Sequence, residues 1–289
     1  MKRTRILGAC LIAMFALGAA AVAGVASAEP PEVGRCVEVE GVKEGKKTVY
    51  SGGYASAHCT RTKPLHNGKY EWLPGPGPKN KFFGEGEEPL FETVGAQTLY
   101  CSSMTEKGEY TGPKAMKLKL GYQLCEDGAK RPCQTTPAHA GEIEAVETLE
   151  GTLAYIDGTK KTAGWDLKPE GGSGALFTYY CGTLPESIHT VEGSVIGQAK
   201  KGFFVGDLNK MSKHGAVAYK ATRGKQLPEA FEGLAADTLT TTTTGLETRS
   251  PEQTGLTTVE ETVSGEGKDI EDEENQEALE LRTKLREGA

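Results

Sequence analysis

Six cysteines follow residue 28, and they constrain the fold more than any other feature of the sequence. They are spread over the first two thirds of the chain: Cys36, Cys59, Cys101, Cys125, Cys133 and Cys181. An even number of cysteines in an exported chain is typical of a disulfide framework. The C-x-x-C and closely spaced Cys/His pairs that are typical of zinc sites do not occur here. We therefore predict three disulfides, no metal site and no cofactor.

Residues 1–28 carry the three parts of an export signal. Basic residues at positions 2, 3 and 5 precede an apolar run to about residue 25, and Ala26-Ser27-Ala28 provides a small-x-small cleavage site. The alternative is an uncleaved membrane anchor, but much of the run is Ala and Gly, and the cleavage site follows at once. We expect cleavage after Ala28 and a secreted product, either extracellular or associated with the cell envelope.

A short pattern that occurs twice indicates how the cysteines pair. Residues 95–112 and 174–193 both begin with Gly-Ala, continue to Tyr-Cys and end at a glycine. Equivalent positions on two strands place Cys101 beside Cys181, which leaves Cys125 for Cys133 and Cys36 for Cys59. Six cysteines allow 15 pairings, and this set is the one that the repeat favours.

The alternation of apolar and polar residues predicts an all-β protein. Residues 116–124 alternate with a period of two, which is typical of a strand that is buried on one face. Asp157-Gly158 suits a tight hairpin turn between strands at 152–156 and 162–167. The threonine run 240–244 favours a strand over a glycosylated stalk because of its β-branching. About nine or ten such strands predict a disulfide-stapled antiparallel β-sandwich or barrel.

Composition divides the chain into four parts. Residues 1–28 are the signal peptide, and residues 29–80 form a small disulfide-closed lobe that ends in a Pro/Gly-rich linker. Residues 81–265 are the sandwich-like core. Residues 266–289 are an acidic tail with few apolar groups, which we expect to be disordered or to form a short helix over 277–286.

The charge of the chain argues against two classes of partner. Removal of three basic residues with the signal leaves 30 basic and 40 acidic residues, a net charge of −10. This balance opposes binding to nucleic acid or to anionic membranes. No other stretch approaches the roughly 18 apolar residues of a spanning helix, so we expect no membrane attachment after cleavage.

Catalytic motifs are mostly absent. The sequence lacks a G-x-S-x-G elbow, an H-E-x-x-H helix, a phosphate-binding loop and a dinucleotide fingerprint. His189 follows Ser187 on an expected strand and could activate a nucleophile, although a structural histidine fits the spacing better. Glu142, Glu144 and Asp166 are candidates for the carboxylate pair of a glycosidase.

The N-terminal lobe offers the best binding residues. Its aromatic side chains lie among glycines and prolines with little core to bury them, and Tyr70 and Trp72 precede the linker directly. Exposed rings on rigid turns can stack on sugars or anchor a protein contact. We predict a binding site at Tyr70 and Trp72. The alternative, which is favoured for Trp72, is that these rings cover the disulfide as the core of the lobe.

Several short motifs between Gly34 and Gly197 carry a resemblance. They occur in the order Gly-Arg-Cys, Cys-Thr, Tyr-Glu-Trp-x-Pro-Gly, Glu-Thr-Val-Gly, Cys-x-Ser, Glu-x-Thr-Gly-Pro, Asp-Leu-Lys-Pro-Glu and Gly-Ser-Val-Ile-Gly. In this respect the chain resembles a group of secreted, cysteine-containing proteins of soil actinobacteria. That group has no assigned function, so the resemblance implies secretion and no activity.

These observations favour a non-catalytic binding or cell-envelope-associated protein whose ligand is a polysaccharide or a surface protein. The alternative is a secreted hydrolase that uses a carboxylate pair on the β core. A third possibility is a structural envelope protein without a small ligand.

Overall fold

A computed structural model describes residues 31–78, 80–136, 138–145, 148–183, 185–200, 214–263 and 280–282. Strands β1 to β11 are Glu32–Glu38, Val42–Glu44, Lys47–Val49, Tyr70–Pro74, Lys81–Thr93, Thr98–Tyr100, Ser103–Gly112, Ala115–Gln123, Glu126–Asp127, Cys133–Gln134 and Ile143–Glu144. Strands β12 to β22 are Leu149–Asp157, Thr162–Pro169, Ala175–Cys181, Ser187–Glu192, Val195–Ala199, His214–Tyr219, Ala221–Thr222, Lys225–Gln226, Thr240–Gly245, Arg249–Val263 and Glu280–Arg282. The described residues contain no α-helix and one short 3-10 turn, Glu170–Gly172.

Eight strands close an antiparallel barrel. Their order is β21-β17-β16-β13-β12-β8-β7-β5, and β5 pairs again with β21. Closure leaves no free edge between these strands, which removes a common site of aggregation. The prediction of an all-β antiparallel sandwich or barrel is confirmed, and the barrel is the form that the chain adopts.

Six more strands form a second layer of pairing, which we call the outer arc: β20, β15, β14, β10, β9 and β6. The arc leaves the barrel at β21 and returns to it at β5, since β20 pairs with β21 and β6 pairs with β5. Strands β9 and β10 meet in a hairpin, in which the Cys133 amide donates to the Cys125 carbonyl over 2.8 Å. The long strands β5 and β21 therefore serve both the barrel and the arc.

The predicted hairpin around Asp157-Gly158 is confirmed as β12 and β13. Their register shifts between Tyr155 and Asp157, which is the bulge that the extra turn residues allow. The predicted strand over 116–124 is confirmed as β8 up to Gln123, and its apolar residues are buried in alternation. The prediction is wrong for Leu124, which follows the strand and is 71% exposed. The threonine run is confirmed as β20.

Aromatic residues fill much of the interior. Phe177 packs edge-on against Phe91 at 5.2 Å between ring centroids and lies 5.4 Å from Tyr122. Inside the barrel, a Cβ on Gly197 would lie only 2.7 Å from the Tyr219 ring, so glycine is what lets this ring approach β16 closely. The barrel and the inner face of the arc thus share one hydrophobic core.

The N-terminal lobe has its own sheet and its own small core. Strand β1 pairs with β4 on one side and with β22 on the other. Tyr54, Cys59 and Trp72 are buried together, with Cys36 and Tyr70 packed against them. Val33 points the other way and belongs to the main core, and its amide donates to the Pro113 carbonyl over 2.8 Å.

The three disulfides confirm that all six cysteines form a framework, but two of the predicted pairings are wrong. Cys36 pairs with Cys59 as expected, whereas Cys101 pairs with Cys125, and Cys133 with Cys181. The reason is the register: Cys133 lies directly opposite Cys181, and Cys101 and Cys125 extend the pairing of β6 with β9. The Cα–Cα distances of these two bonds are 4.0 and 3.9 Å. Three disulfides indicate an oxidising compartment.

Two predictions concern the ends of the chain. The export signal at 1–28 lies outside the described residues. Of the acidic tail, only Glu280–Arg282 is described, and it forms strand β22 against β1. The expectation of disorder or a helix is therefore wrong for these three residues. Within the described ranges, no helix has the length and apolar character required to cross a membrane.

Candidate functional site

A cleft of about 340 Å³ opens at one end of the outer arc. The turn before β6 and the β9–β10 hairpin form one wall, and strands β14 and β15 with the β20–β21 connection form the other. Ligand sites usually occupy about 300–1,000 Å³ and are concave with a few convergent polar groups. This cleft therefore has the size of a site for a small ligand, and its lining is mainly polar.

The floor of the cleft lies over a row of side chains on four neighbouring strands, of which Thr243 is fully buried and the other three line the cleft. Tyr179 on β14 is opposite His189 on β15, which is opposite Thr243 on β20, which is opposite Arg249 on β21. Residues that face one another across antiparallel strands share a face of the sheet. Ser187 precedes His189 by two residues, so it lies on the same face and extends the floor.

His189 is held in place from two sides. Its ring stacks on the Tyr179 ring at 4.7 Å between centroids and 17° between planes. Its Nδ1 lies 3.0 Å from the Thr243 hydroxyl, which is fully buried. Burial lowers the pKa of His189 below its ordinary value, with Glu247 opposing this shift. The imidazole is therefore neutral near pH 7.

The hairpin wall carries a rigid ion pair. Asp127 Oδ2 accepts from Arg131 Nε at 2.7 Å, and Asp127 Oδ1 accepts from the amides of Ala129 and Arg131 at 2.9 Å. Burial raises the pKa of Asp127, but the hydrogen bonds and charge of Arg131 outweigh burial and bring the pKa below its ordinary range. The wall therefore presents a guanidinium whose direction is fixed by its partner.

The charges around the cleft nearly cancel. Three carboxylates, those of Asp127, Glu186 and Glu247, face two guanidiniums, those of Arg131 and Arg249. With a neutral His189, the cleft has one negative charge in excess. A site for phosphate or nucleic acid would instead concentrate cations, so the cleft suits a ligand that is neutral or nearly so.

The two residues predicted for binding lie elsewhere. Trp72 is only 8% exposed, and its Nε1 donates to Glu32 Oε1 at 2.9 Å. It is the core of the lobe, as the alternative had it, so the prediction that its ring is an exposed stacking surface is wrong. Tyr70 is half-buried beside it, with the Lys69 ammonium 5.8 Å from the ring centroid. A binding role for Tyr70 stays a prediction.

Of the catalytic candidates, some lie outside the cleft and some line it. Glu142, Glu144 and Asp166 are not among the residues that line the cleft. His189 and Ser187 both line it, but their described bonds lead to other groups. His189 Nδ1 contacts Thr243, and Ser187 Oγ accepts from the Glu247 amide at 3.1 Å. The structure therefore brings the pair to one site without joining it as nucleophile and base.

Other cleft residues were missed by sequence reasoning. Asp127 and Arg131 belong to a charged turn between two cysteines, and such a turn is a signal for a rigid, exposed loop. Gln97 and Arg249 carry no local signal, because their approach depends on the return of the arc to β5. Across the described ranges, no group of three or more His, Cys, Asp or Glu side chains could hold a metal ion.

Comparisons with protein-family models, with curated proteins and with solved structures find no match for this chain.

Proposed function

We propose that the protein is a secreted, non-catalytic binding protein that holds a sugar unit of a polysaccharide in the cleft of the outer arc. The observation that carries the proposal is the floor of the cleft, where an imidazole stacked on Tyr179 is flanked by hydroxyl, amide and guanidinium groups. A sugar presents both donors and acceptors in the same small volume, so it matches a lining of mixed polarity.

Charge favours a sugar over other ligand classes. The guanidinium and carboxylate groups nearly balance, and each can form paired hydrogen bonds to neighbouring hydroxyls. A lipid would require an apolar lining, and a polyanion would require an excess of cations.

Secretion is supported by the composition of residues 1–28 and by the three disulfides. Disulfides persist outside the reducing cytosol, where cell-wall and environmental polysaccharides occur. The carboxylates suggested for a hydrolase, Glu142, Glu144 and Asp166, do not line the cleft, which favours binding over hydrolysis there.

The test is a depletion assay in which the mature protein is incubated with isolated cell walls and several insoluble polysaccharides. Arg249→Ala and Glu247→Gln change the cleft, whereas Arg61→Ala and Glu192→Gln remove the same charges from exposed positions outside it. We expect retention of the wild type on at least one material, at least tenfold weaker retention of the cleft variants, and unchanged retention of the controls.

The same assay distinguishes the cleft from the lobe. Loss of retention in Tyr70→Ala, with the cleft variants unaffected, would move the site to the N-terminal lobe. If the wild type is retained on no material, the polysaccharide proposal is wrong.

A further inference from the structure

The hydrogen bonds behind His189 favour one position for its proton. The Thr243 hydroxyl donates to Gln97 Oε1 at 3.5 Å, and the same oxygen lies 3.0 Å from His189 Nδ1. A hydroxyl has one proton, so when that proton points to Gln97 the oxygen is an acceptor towards the histidine. In this arrangement the ring carries its proton on Nδ1.

A neutral imidazole with its proton on Nδ1 has a lone pair on Nε2. Because Nδ1 is engaged with Thr243, any hydrogen bond from His189 to a ligand in the cleft must use Nε2. The stack on Tyr179 fixes the plane of the ring, which fixes the direction of this lone pair. His189 therefore offers the cleft an acceptor and not a donor.

We propose that His189 determines the specificity of the cleft by accepting a hydrogen bond at Nε2 from a hydroxyl group of the ligand, with Thr243 and Gln97 as the positioning residues. This inference rests on the proposed function and deepens it. A site built to bond a hydroxyl rejects analogues that lack it, because the acceptor is then buried without a partner. Ligands that offer only acceptors at this position, such as carboxylates and phosphates, are rejected for the same reason.

The charged groups that face His189 come from every wall of the cleft: Asp127 and Arg131 from the β9–β10 hairpin, Glu247 from the β20–β21 connection, and Arg249 from the start of β21. Two are negative and two are positive, so their effects on the ring oppose one another. Burial against Tyr179 and Thr243 decides the outcome and keeps the ring neutral near pH 7. Protonation at lower pH converts Nε2 to a donor and removes the acceptor.

The first experiment needs no ligand. Long-range proton–nitrogen correlation spectra of the mature protein report which ring nitrogen of each histidine is protonated. We expect the Nδ1–H form for His189 in the wild type and a shift towards the ordinary Nε2–H form in Thr243→Val. Thr242→Val is the matched control, since Thr242 is the neighbouring residue on the opposite face of β20, and it should leave the His189 signals unchanged.

An Nε2–H form in the wild type would overturn the inference, because the ring would then be a donor. This outcome leaves the cleft as a binding site and so separates the two proposals. Equal melting temperatures of Thr243→Val and Thr242→Val would show that a change of tautomer does not come from unfolding.

The second experiment uses the material that retains the wild type. His189→Phe keeps a ring to stack on Tyr179 but has no acceptor. We expect at least tenfold weaker retention of His189→Phe at pH 7, and a loss of wild-type retention as the pH falls below the ordinary histidine pKa that the variant does not share. Retention of His189→Phe equal to that of the wild type would overturn the specificity role, and so would a wild-type profile that is flat with pH. If nothing retains the wild type, this role falls together with the proposed function.

Discussion

The two tryptophans of the chain lie in two regions that are stabilised differently. Trp165 is 4% exposed inside the barrel, and it belongs to a cluster of 28 buried residues among those that the structure describes. Trp72 is 8% exposed in the N-terminal lobe, and within the same described ranges it shares its cluster with two other buried residues, Tyr54 and Cys59. Both rings are buried to a similar degree, yet one is supported by a large core and the other by a disulfide.

The similar burial of the two tryptophans does not by itself measure the stability of their surroundings. The free energy of burial scales with the total apolar area removed from water, so a three-residue cluster contributes little beyond its own side chains. In the lobe, the bond from Cys36 to Cys59 restricts the unfolded chain and replaces the missing core. In the barrel, closed strand pairing and the shared hydrophobic core provide the stability.

Contacts at β1 hold the two regions together. Val33 inserts into the main core, and its amide donates to the Pro113 carbonyl over 2.8 Å. In the described part of β1, this apolar side chain and this backbone bond link the lobe to the barrel. Regions joined in this way can open separately, and we expect the lobe to open before the barrel.

The largest expected effect comes from removal of the lobe disulfide. Cys36→Ser with Cys59→Ser should cost the lobe about 3.5 kcal/mol, because the bond closes a loop with a sequence separation of 23. In a Trp165→Phe background the emission of Trp72 should shift to the red without denaturant. In a Trp72→Phe background the unfolding midpoint reported by Trp165 should stay where it is. If the unfolding midpoint reported by Trp165 falls as far as the midpoint reported by Trp72, the two regions unfold as one and are not stabilised separately.

A smaller effect of opposite sign is expected in the barrel at Asp166. This carboxyl is 6% exposed, and among the described residues its Oδ1 has no hydrogen-bond partner. Burial, and then the charge of Asp237, raise its pKa to about 6. Since the folded pKa lies above the unfolded one, the native state loses stability as pH rises from about 4 to 6. Asp166→Asn should therefore stabilise the barrel by about 2 kcal/mol at pH 7 and have almost no effect at pH 3.

Denaturant titration of Trp165 fluorescence at the two pH values measures this effect. Asp157→Asn is the matched control on the neighbouring strand, because hydrogen bonds from Lys160 lower the pKa of Asp157. The control should not stabilise the protein at pH 7. A loss of stability in Asp166→Asn at pH 7 would show that the ionised carboxylate has a favourable role in the barrel.

A modest effect, confined to the lobe, is expected from Glu32→Ala. The variant removes the acceptor of the Trp72 Nε1 bond and should cost about 1 kcal/mol. Hydrogen exchange of the β1 and β4 amides should increase, whereas exchange in the barrel should not. Glu44→Ala, at an exposed position of β2, is the control. Faster exchange in both regions would mean that the lobe and barrel are more tightly coupled than the contacts at Val33 indicate.

The smallest effect is expected at the ion pair of Lys69 and Glu38. The two groups lie 2.8 Å apart, but 44% and 54% of their side-chain areas are exposed, so solvent screens the attraction. Lys69→Ala should leave the unfolding transition reported by Trp72 unchanged. A clear fall in that midpoint would show that the lobe depends on surface charge as well as on its disulfide.

Local patterns in the sequence were enough to predict the hairpin of β12 and β13, the alternation of β8 and the threonine strand β20. They failed at β5 and β21, the two strands that join the barrel to the arc. Glycine and proline interrupt both sequences, and each strand bends at a register shift, marked in β5 by a backbone φ of +50° at Glu88. Such strands carry no clear period of two, because parts of each strand face different layers.

The candidate site was partly visible in the sequence. His189 and Ser187 stand two apart on a predicted strand, and that spacing places both side chains on one face. The contribution of Gln97 was not visible, since the residue lies in a turn more than ninety positions before His189. Trp72 was named as a binding residue, although a lone large aromatic in a small lobe already favoured its burial, which is what the structure shows.

By itself, the sequence determined the all-β class, the disulfide framework and several strands, because alternation and cysteine content act over short stretches of chain. Only the tertiary structure decided the pairing of Cys101 with Cys125 and of Cys133 with Cys181, the closure of the barrel, and the meeting of Gln97, Thr243 and His189 at the cleft. All three depend on the register between strands that are distant in the chain. Register is set by the packing of both faces of a strand against its neighbours, and a single stretch of sequence does not contain those neighbours.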